Sequence, residues 1–469
     1  MTGIKNIAVH LPYYRLSRGE IGKAWGTAGV AGERRVANFD EDSITMAIEA
    51  GFRCLKQSER DHVRGLYFAS TTAPYWEKQC AGLCAGVLDL SPDIRTGDFG
   101  GSTRSSTNAF LAAADAVNAG LGDVLVITSD CRRALPRSSQ EGVFGDGGAA
   151  IVLGDADVIC ALRDSCSVWD DITDVWRMDK DDFVKTWEDR FILQMGYEKG
   201  MEHAITAIMK RNQLKGGEID KVVCYSPDGR SHQRVLKKVG FKPEQIQNPL
   251  VDKIGNTGSA QAFIMLASAL SEAKTGQVIL WVNFGSGSDA LLLEVTNEIE
   301  TKAVSLAKNL PLNMGEELSY QKYLAFRGLV QTPQELVRIF PSASVMWRTR
   351  HWAASLHGSK CNVCGTITFP IQRVCFTCKT KDDFEEVRLS DKKGKIFTYS
   401  LDNLAGGPNP PTIQAIVEME GGARIYCLMT DCNPNRIEIG MPVEMTYRLF
   451  HEEGGFYNYY WKAHPAYGD

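Results

Sequence analysis

Apolar positions in the first part of the chain come in two textures. Short, nearly continuous apolar runs of strand length occur at VRGLYFAS (63–70), GDVLVITSD (122–130), VVCYSP (222–227) and QVILWVNFG (277–285). Between them lie helical stretches such as SSTNAFLAAADAVNAG (105–120) and GSAQAFIMLASALSEAKTG (258–276). Strands alternating with helices predict βαβ units around a mostly parallel, buried sheet. The pattern also repeats. FGDGGAAIVL (144–153) and FGSGSDALLL (284–293) are each a glycine-rich turn followed by an apolar run, closing two halves of similar size. This echo predicts an internal duplication, with halves at about 1–155 and 156–297.

After residue 297 the texture changes. EIETKAVSLAKNL (298–310) and TPQELVRIF (332–340) predict short helices in a linker spanning 298–345. Four cysteines follow within 346–382. In 383–469, KIFTYSLDNL, TIQAIVEME, ARIYCLMT and MPVEMTYRLF are short strands separated by Gly, Pro and Asn turns, a pattern that favours a small antiparallel barrel.

Composition narrows the function classes. At 469 residues the chain is too long for one hydrophobic core, so two or three domains are expected. A net charge of −5 provides no basic field for nucleic acid, and no basic–aromatic stripe marks the barrel as a strand binder. The start of the chain lacks a basic-then-apolar signal pattern, and no apolar run is long enough to span a bilayer. A cytoplasmic protein without membrane contact is expected. Of the 13 cysteines, nine are scattered and read as reduced, mostly buried thiols.

The other four form CNVCGTITFPIQRVCFTC (361–378), two C-x-x-C knuckles separated by ten residues. Each knuckle points two thiolates at one spot, and two knuckles complete a tetrahedral S4 site. Cys361, Cys364, Cys375 and Cys378 are therefore the candidate ligands of a structural Zn2+ ion, a closed set with no open position for catalysis. Gly365, after the first knuckle, suits a positive φ. Iron in the same S4 set and a disulfide pair are the other readings.

The motifs FGDGGAA (144–150), IGNTGSA (254–260), FGSGSDA (284–290) and SYQKYLAFRG (319–328) resemble the thiolase superfamily. The closest branch holds 3-hydroxy-3-methylglutaryl-CoA synthase and the ketoacyl synthases of the type III class. MWRTRHWAASLHGSKCNVCGTITFP (346–370) resembles the zinc-ribbon/OB-fold proteins that accompany thiolases. The resemblance implies an α/β, duplicated five-layered αβαβα fold at 1–297. A rubredoxin-like zinc ribbon (346–382) and a small OB-fold β-barrel (383–469) would follow. It also implies a homodimer, an acyl-CoA thioester as substrate, and possible company with a separate thiolase.

The same resemblance implies a cysteine nucleophile at a buried helix start. In DFGGSTRSSTNAFLAAADAV (98–117) Thr103 stands there, and no cysteine lies between Cys84 and Cys131. The family histidine position in CYSPDGRSH (224–232) is Tyr225, and the glutamate position in YFASTTAPYW (67–76) is Thr71 or Thr72. Asn256 matches the family asparagine. Gly285 and Ser286 match the loop whose N–H groups bind a thioester oxygen.

A threonine hydroxyl has a pKa far above that of a thiol, and no adjacent base is evident, which argues against a covalent acyl-enzyme. The favoured reading is C–C bond making or breaking beside a CoA thioester by a non-covalent aldol or retro-aldol route. Tyr225 would be acid or base, with Asn256 and the Gly285–Ser286 N–H groups holding the enolate. A non-catalytic acyl-CoA scaffold and a conventional synthase-like acyltransferase stand as alternatives. Among other residues, His232 and His203 are read as surface histidines and Cys131 as a buried inert thiol. Arg104, Arg132 and Arg133 are read as solvated. Tyr75 and Trp76 either line a pocket or face an interface.

Overall fold

The duplicated glycine-rich turns sit on either side of the middle of one nine-stranded sheet. The computed structural model describes residues 1–55, 57–308, 310–333 and 341–466. In chain order its strands are β1 (Gly3–His10), β2 (Val63–Ala69), β3 (Arg95–Phe99), β4 (Asp123–Asp130) and β5 (Gly147–Gly154). The second half adds β6 (Cys160–Trp169), β7 (Lys221–Cys224), β8 (Val278–Phe284) and β9 (Gly287–Val295).

Their spatial order is β3-β2-β4-β5-β1-β6-β9-β8-β7. Reading outward from the centre, β1-β5-β4-β2 on one side is mirrored by β6-β9-β8-β7 on the other. Within the sheet, among the described residues, the two halves are joined by the β1/β6 pairing, Gly3↔Ala161 and Ile4↔Cys160. The sheet is mixed rather than mostly parallel: β2/β3, β2/β4 and β7/β8 are parallel, and the five central pairings are antiparallel. The reason is topological. Gly285–Ser286 joins β8 to β9, and a two-residue turn can only connect antiparallel neighbours. A strand covered on both faces reads as a continuous apolar run whatever its direction, so the sequence texture did not distinguish the two.

Helices complete a layered α–β–α–β–α arrangement. They are α1 (Ser43–Cys54), α2 (Ser105–Asn118), α3 (Lys199–Arg211), α4 (Gly229–Val239) and α5 (Gln261–Leu270). α1 packs on β1, β4 and β5, and α3 packs on β6, β8 and β9. α2 and α5 occupy the central layer. Phe110 of α2 and Phe263 of α5 meet edge-on at 6.4 Å, and both press against Trp281, whose indole N–H donates to Ala262 O at 3.0 Å. All ten residues of α5 are buried, which explains an apolar sequence with no polar face.

The chain divides into two compact units. One holds Met1–Ala37, Asp42–Ala85 and Leu90–Tyr320; the other holds Gln321–Asp469 with the short segments Asn38–Glu41 and Gly86–Asp89. The expected helix at 298–310 forms as Ile299–Lys308. The one expected over 332–340 falls almost wholly outside the described residues.

Within the second unit, α6 (Ala343–Ala353) precedes a three-stranded ribbon, β10 (His357–Cys361), β11 (Ile367–Thr368) and β12 (Phe384–Arg388). Five antiparallel strands follow: β13 (Gly394–Asp402), β14 (Thr412–Met419), β15 (Arg424–Leu428), β16 (Pro442–Glu453) and β17 (Phe456–Pro465). Their order is β15-β14-β13-β16-β17, and the Met429↔Ala463 bridge joins the two edges into a barrel. Burial alternates along β14, as expected for one face inward. A buried ionic cluster lies in this unit: Arg448 pairs with Glu41 at 2.8 Å and Asp431 at 2.6 Å, and Lys462 pairs with Asp40 at 2.7 Å.

Candidate functional site

A cavity of about 270 Å3 opens in the first unit, lined by residues from both halves, among them Thr71, Thr103, Arg132, Asp174, Trp176 and Ser286. Its floor is set by strand ends. Asp130, the last residue of β4, accepts hydrogen bonds from Ser70 Oγ (2.9 Å), the Thr71 N–H (2.7 Å) and the Ser259 N–H (2.7 Å). One buried carboxylate thus fixes the loop after β2 and the entry to α5. Gly258 is needed here: its φ is +62°, and a Cβ would lie 2.2 Å from Asp130 Oδ2.

Thr103 precedes α2 and is 6% exposed. Its hydroxyl donates to Phe284 O at 2.7 Å. A Cβ at Gly285 would stand 2.6 Å from Thr103 Oγ1, so the turn and the helix start are in close contact. The Gly285 N–H donates to Gly287 O at 2.9 Å and is engaged within the turn. Ser286, at φ +48°, lines the cavity.

Tyr225 and Asn256 do meet. Asn256 Nδ2 donates to the Tyr225 hydroxyl at 2.9 Å, and Arg132 Nη2 donates to Asn256 Oδ1 at 2.6 Å. Neither Tyr225 nor Asn256 is among the cavity-lining residues, whereas Arg132 is. The three form a relay behind the wall, with the guanidinium at its front. Arg132 also lies 4.2 Å above the Phe144 ring. Burial raises the pKa of the Tyr225 hydroxyl, with Arg132 and the bond from Asn256 pulling the other way.

Asp174 faces the same cavity. Burial raises its carboxyl pKa, opposed by the Val175 N–H at 2.7 Å and by the charge of Arg132. Sequence reasoning passed over this residue. It lies in 170–188, which has little regular structure and is tied down by the Trp176↔Lys185 bridge, Arg177 to Thr71 O at 3.1 Å, and the Val184 N–H to Arg133 O at 3.0 Å. The density of Trp169, Trp176 and Trp187 was the available signal.

Several expectations need correction. Arg132 is buried, not solvated. Arg104 is largely buried too, bonding Asp289 at 3.3 Å and the carbonyls of Val168 and Ser286 at 3.2 Å each. Both sit where the chain turns inward at a strand end or helix start, which the charge alone does not reveal. His232 is 1% exposed with Nε2 unbonded, and burial pushes its imidazole down to about 4. Its helix packs that face inward. Cys131 is partly exposed at a strand end. His203 and Arg133 are exposed, Tyr75 is partly buried, and Trp76, though 79% exposed, lines the cavity rim.

No cysteine lines the cavity among the described residues. Burial pushes the Cys80 and Cys224 thiols up to about 12, far from a thiolate at neutral pH.

In the second unit the four ribbon sulfurs lie within 4.8 Å of one another, with Cys361–Cys378 and Cys364–Cys375 at 3.5 Å. A tetrahedral Zn–S4 site with ~2.3 Å bonds has sulfur–sulfur edges of ~3.8 Å, so the donor set fits. The knuckles are near copies. Gly365 (φ +72°) and Lys379 (φ +63°) turn each back, and Thr366 and Thr380 place hydroxyls 3.2 and 3.1 Å from Cys364 and Cys378.

Comparison with known proteins agrees with this architecture. Residues 209–294 match the family described as 3-Oxoacyl-[acyl-carrier-protein (ACP)] synthase III C terminal, and residues 386–448 match ChsH2, C-terminal OB-fold domain. The chain is 30% identical over 336 residues to the hydroxymethylglutaryl-CoA synthase of Thermococcus sibiricus, covering 70% of this chain and 96% of that protein. It is 32% identical over 341 residues to the synthase of Aeropyrum pernix, covering 70% and 94%. Among solved structures, an HMG-CoA synthase complexed with CoA superposes with a TM-score of 0.65 at 17% identity, covering 73% of this chain and 95% of that one. The 3-oxoacyl-[acyl-carrier-protein] synthase III of Aquifex aeolicus gives a TM-score of 0.56 at 22% identity, covering 63% and 100%. Duplicated sheet, matching motifs and near-full coverage of the curated relatives together place this chain in the hydroxymethylglutaryl-CoA synthase family of the thiolase superfamily.

Proposed function

We propose that the protein is an acyl-CoA enzyme that makes or breaks a C–C bond next to the thioester without forming an acyl-enzyme. The observation that carries this reading is the hydroxyl of Thr103, at the position where the family resemblance implies a nucleophile: it is donated to Phe284 O at 2.7 Å, while a carboxylate and a guanidinium face the cavity. In the cleavage direction Asp174 takes the β-hydroxyl proton and the Cα–Cβ bond breaks. The electron pair moves onto the thioester oxygen, where Arg132 stabilises the enolate. Asp174 then returns the proton to Cα, releasing a shorter acyl-CoA and a carbonyl compound. Condensation is the reverse. The raised pKa of Asp174 suits it to exchange a proton in both directions. Tyr225, kept neutral by burial, acts with Asn256 to orient Arg132 rather than to take the proton itself.

The test is turnover of a panel of β-hydroxyacyl-CoAs, and of acyl-CoA plus carbonyl acceptors, followed by mass spectrometry. A radiolabelled acyl group trapped on a cysteine would reinstate a conventional acyltransferase. Saturable acyl-CoA binding with no turnover across the panel would leave a scaffold that partners another thiolase. The same reading gives the ribbon one structural Zn2+ held by Cys361, Cys364, Cys375 and Cys378, supported by the sulfur distances, and metal analysis of purified protein measures it. Family likeness also favours a homodimer, which sedimentation would establish.

A further inference from the structure

A second cluster of metal-ligating groups lies in the second unit, apart from the four cysteines. His351, His357 and Glu386 offer one ligand atom each, all within 4.8 Å of one another. Glu386 Oε2 stands 3.4 Å from His357 Nδ1 and 3.8 Å from His351 Nδ1. A tetrahedral site with ~2.1 Å bonds to imidazole and carboxylate has ligand–ligand edges of ~3.4 Å, so these spacings need little adjustment.

The fold explains the convergence. In the antiparallel β10/β12 pair, His357 lies opposite Arg388 and Ser359 opposite Glu386, so His357 and Glu386 are diagonal neighbours on one face. His351 is in the last turn of α6. The chain returns from that helix to β10 through Leu356, a fully buried residue at φ +55°, in the left-handed region that a leucine rarely adopts. That reversal folds His351 back over His357, with ring centroids 6.2 Å apart.

Protonation geometry adds a separate observation. His357 Nε2 is 2.8 Å from Asp89 Oδ2, so the Nε2–H is donated to a carboxylate. In the neutral ring this leaves Nδ1 as a lone pair facing the other two groups. A carboxylate holding the distal N–H of a histidine is the usual outer partner of a metal-bound imidazole. A lone pair aimed at a carboxylate oxygen 3.4 Å away needs a positive centre between them, a proton or a metal ion.

We propose that His351, His357 and Glu386 bind a divalent transition metal of the zinc class, with Asp89 orienting His357 and water completing the shell. The ion would clip α6 to the edge of the ribbon, independently of the S4 set. This set has three protein ligands and an open position, whereas the cysteine set is closed.

The experiment uses the tag-free 469-residue chain, dialysed against micromolar Zn2+ or Co2+ and analysed for bound metal. Wild type should hold two equivalents. One Co2+ should show thiolate charge-transfer absorption and the other only weak ligand-field bands. His351→Ala and Glu386→Gln should each reduce the count to one while leaving the thiolate bands unchanged. Asp89→Asn should weaken the second equivalent about 10–100-fold. His351 and Glu386 are about half exposed, so these variants should fold. The inference is overturned by one equivalent in wild type, as an ion-paired imidazolium would give. A second equivalent that survives both substitutions, or that binds only at millimolar metal, overturns it equally.

Discussion

The ribbon and the cavity assemble their chemistry in opposite ways. The ribbon takes four sulfurs from two knuckles within one 18-residue segment, each turned back by a left-handed residue and flanked by a threonine hydroxyl. The cavity takes Thr103, Arg132, Asp174 and Ser286 from four distant segments, with Tyr225 and Asn256 behind them. A donor set built locally survives as a spacing in the sequence. One built by sheet topology leaves only isolated residues, each of which reads as ordinary.

The experiments that strain this contrast run from the largest expected effect to the smallest. Replacing one ribbon ligand, as in Cys375→Ala, should unfold the ribbon, because structural zinc in such small sites contributes about 10 kcal/mol of apparent folding free energy. Hydrogen exchange would show protection lost across 357–388 while β4 and β8 keep theirs. A ribbon that stays protected in the variant, or after chelation, would mean that its knuckles hold without metal.

Next, Asp174→Asn should lower kcat by about 100-fold or more with KM changed by less than about threefold, the pattern of a lost proton transfer. An unchanged kcat would remove Asp174 from the chemistry and reopen the role of Tyr225, which Tyr225→Phe measures in the same assay.

The third effect is on pH. His232 is pushed down to about 4 by burial, so the folded state holds it neutral. Its contribution is complete above the unfolded value of 6.5 and is lost as pH falls from there through about 4. Denaturant melts at pH 7 and pH 4 should differ by roughly 3 kcal/mol from this group. His232→Gln should flatten that slope. If the slope persists in the variant, other groups govern acid stability.

The smallest effect is at Thr103. Thr103→Ala should lower stability by about 1 kcal/mol, the net worth of one hydrogen bond, and leave turnover within about threefold. A loss of activity as large as that of Asp174→Asn would make the hydroxyl part of the chemistry.

Much of this was legible beforehand, and the failures share a cause. The duplication showed because FGDGG and FGSGS each begin a buried strand at the same place in the two halves. Strand direction did not show, because burial on both faces erases the alternation that separates parallel from antiparallel strands. Arg132, Arg104 and His232 read as surface residues in the sequence because polarity usually means exposure. In the structure each is held inside: Arg132 by Asn256, Arg104 by Asp289, and His232 by the inward face of its helix. Asp174 was missed because 170–188 carries no periodicity and is fixed only by contacts with residues far away in sequence.

The latch between Thr103 and Phe284 O also limits what position 103 can hold. A cysteine at position 103 would meet the same carbonyl with a thiol, a far weaker donor than a hydroxyl. It would also bring a larger atom against a turn where a single Cβ at Gly285 would already lie 2.6 Å from the hydroxyl. Thr103→Cys should therefore loosen the hairpin, and its melting temperature, lower than wild type on this view, is the direct check. The hydroxyl thus acts as a joint between helix and hairpin, one that a sulfur at the same position would fill less well.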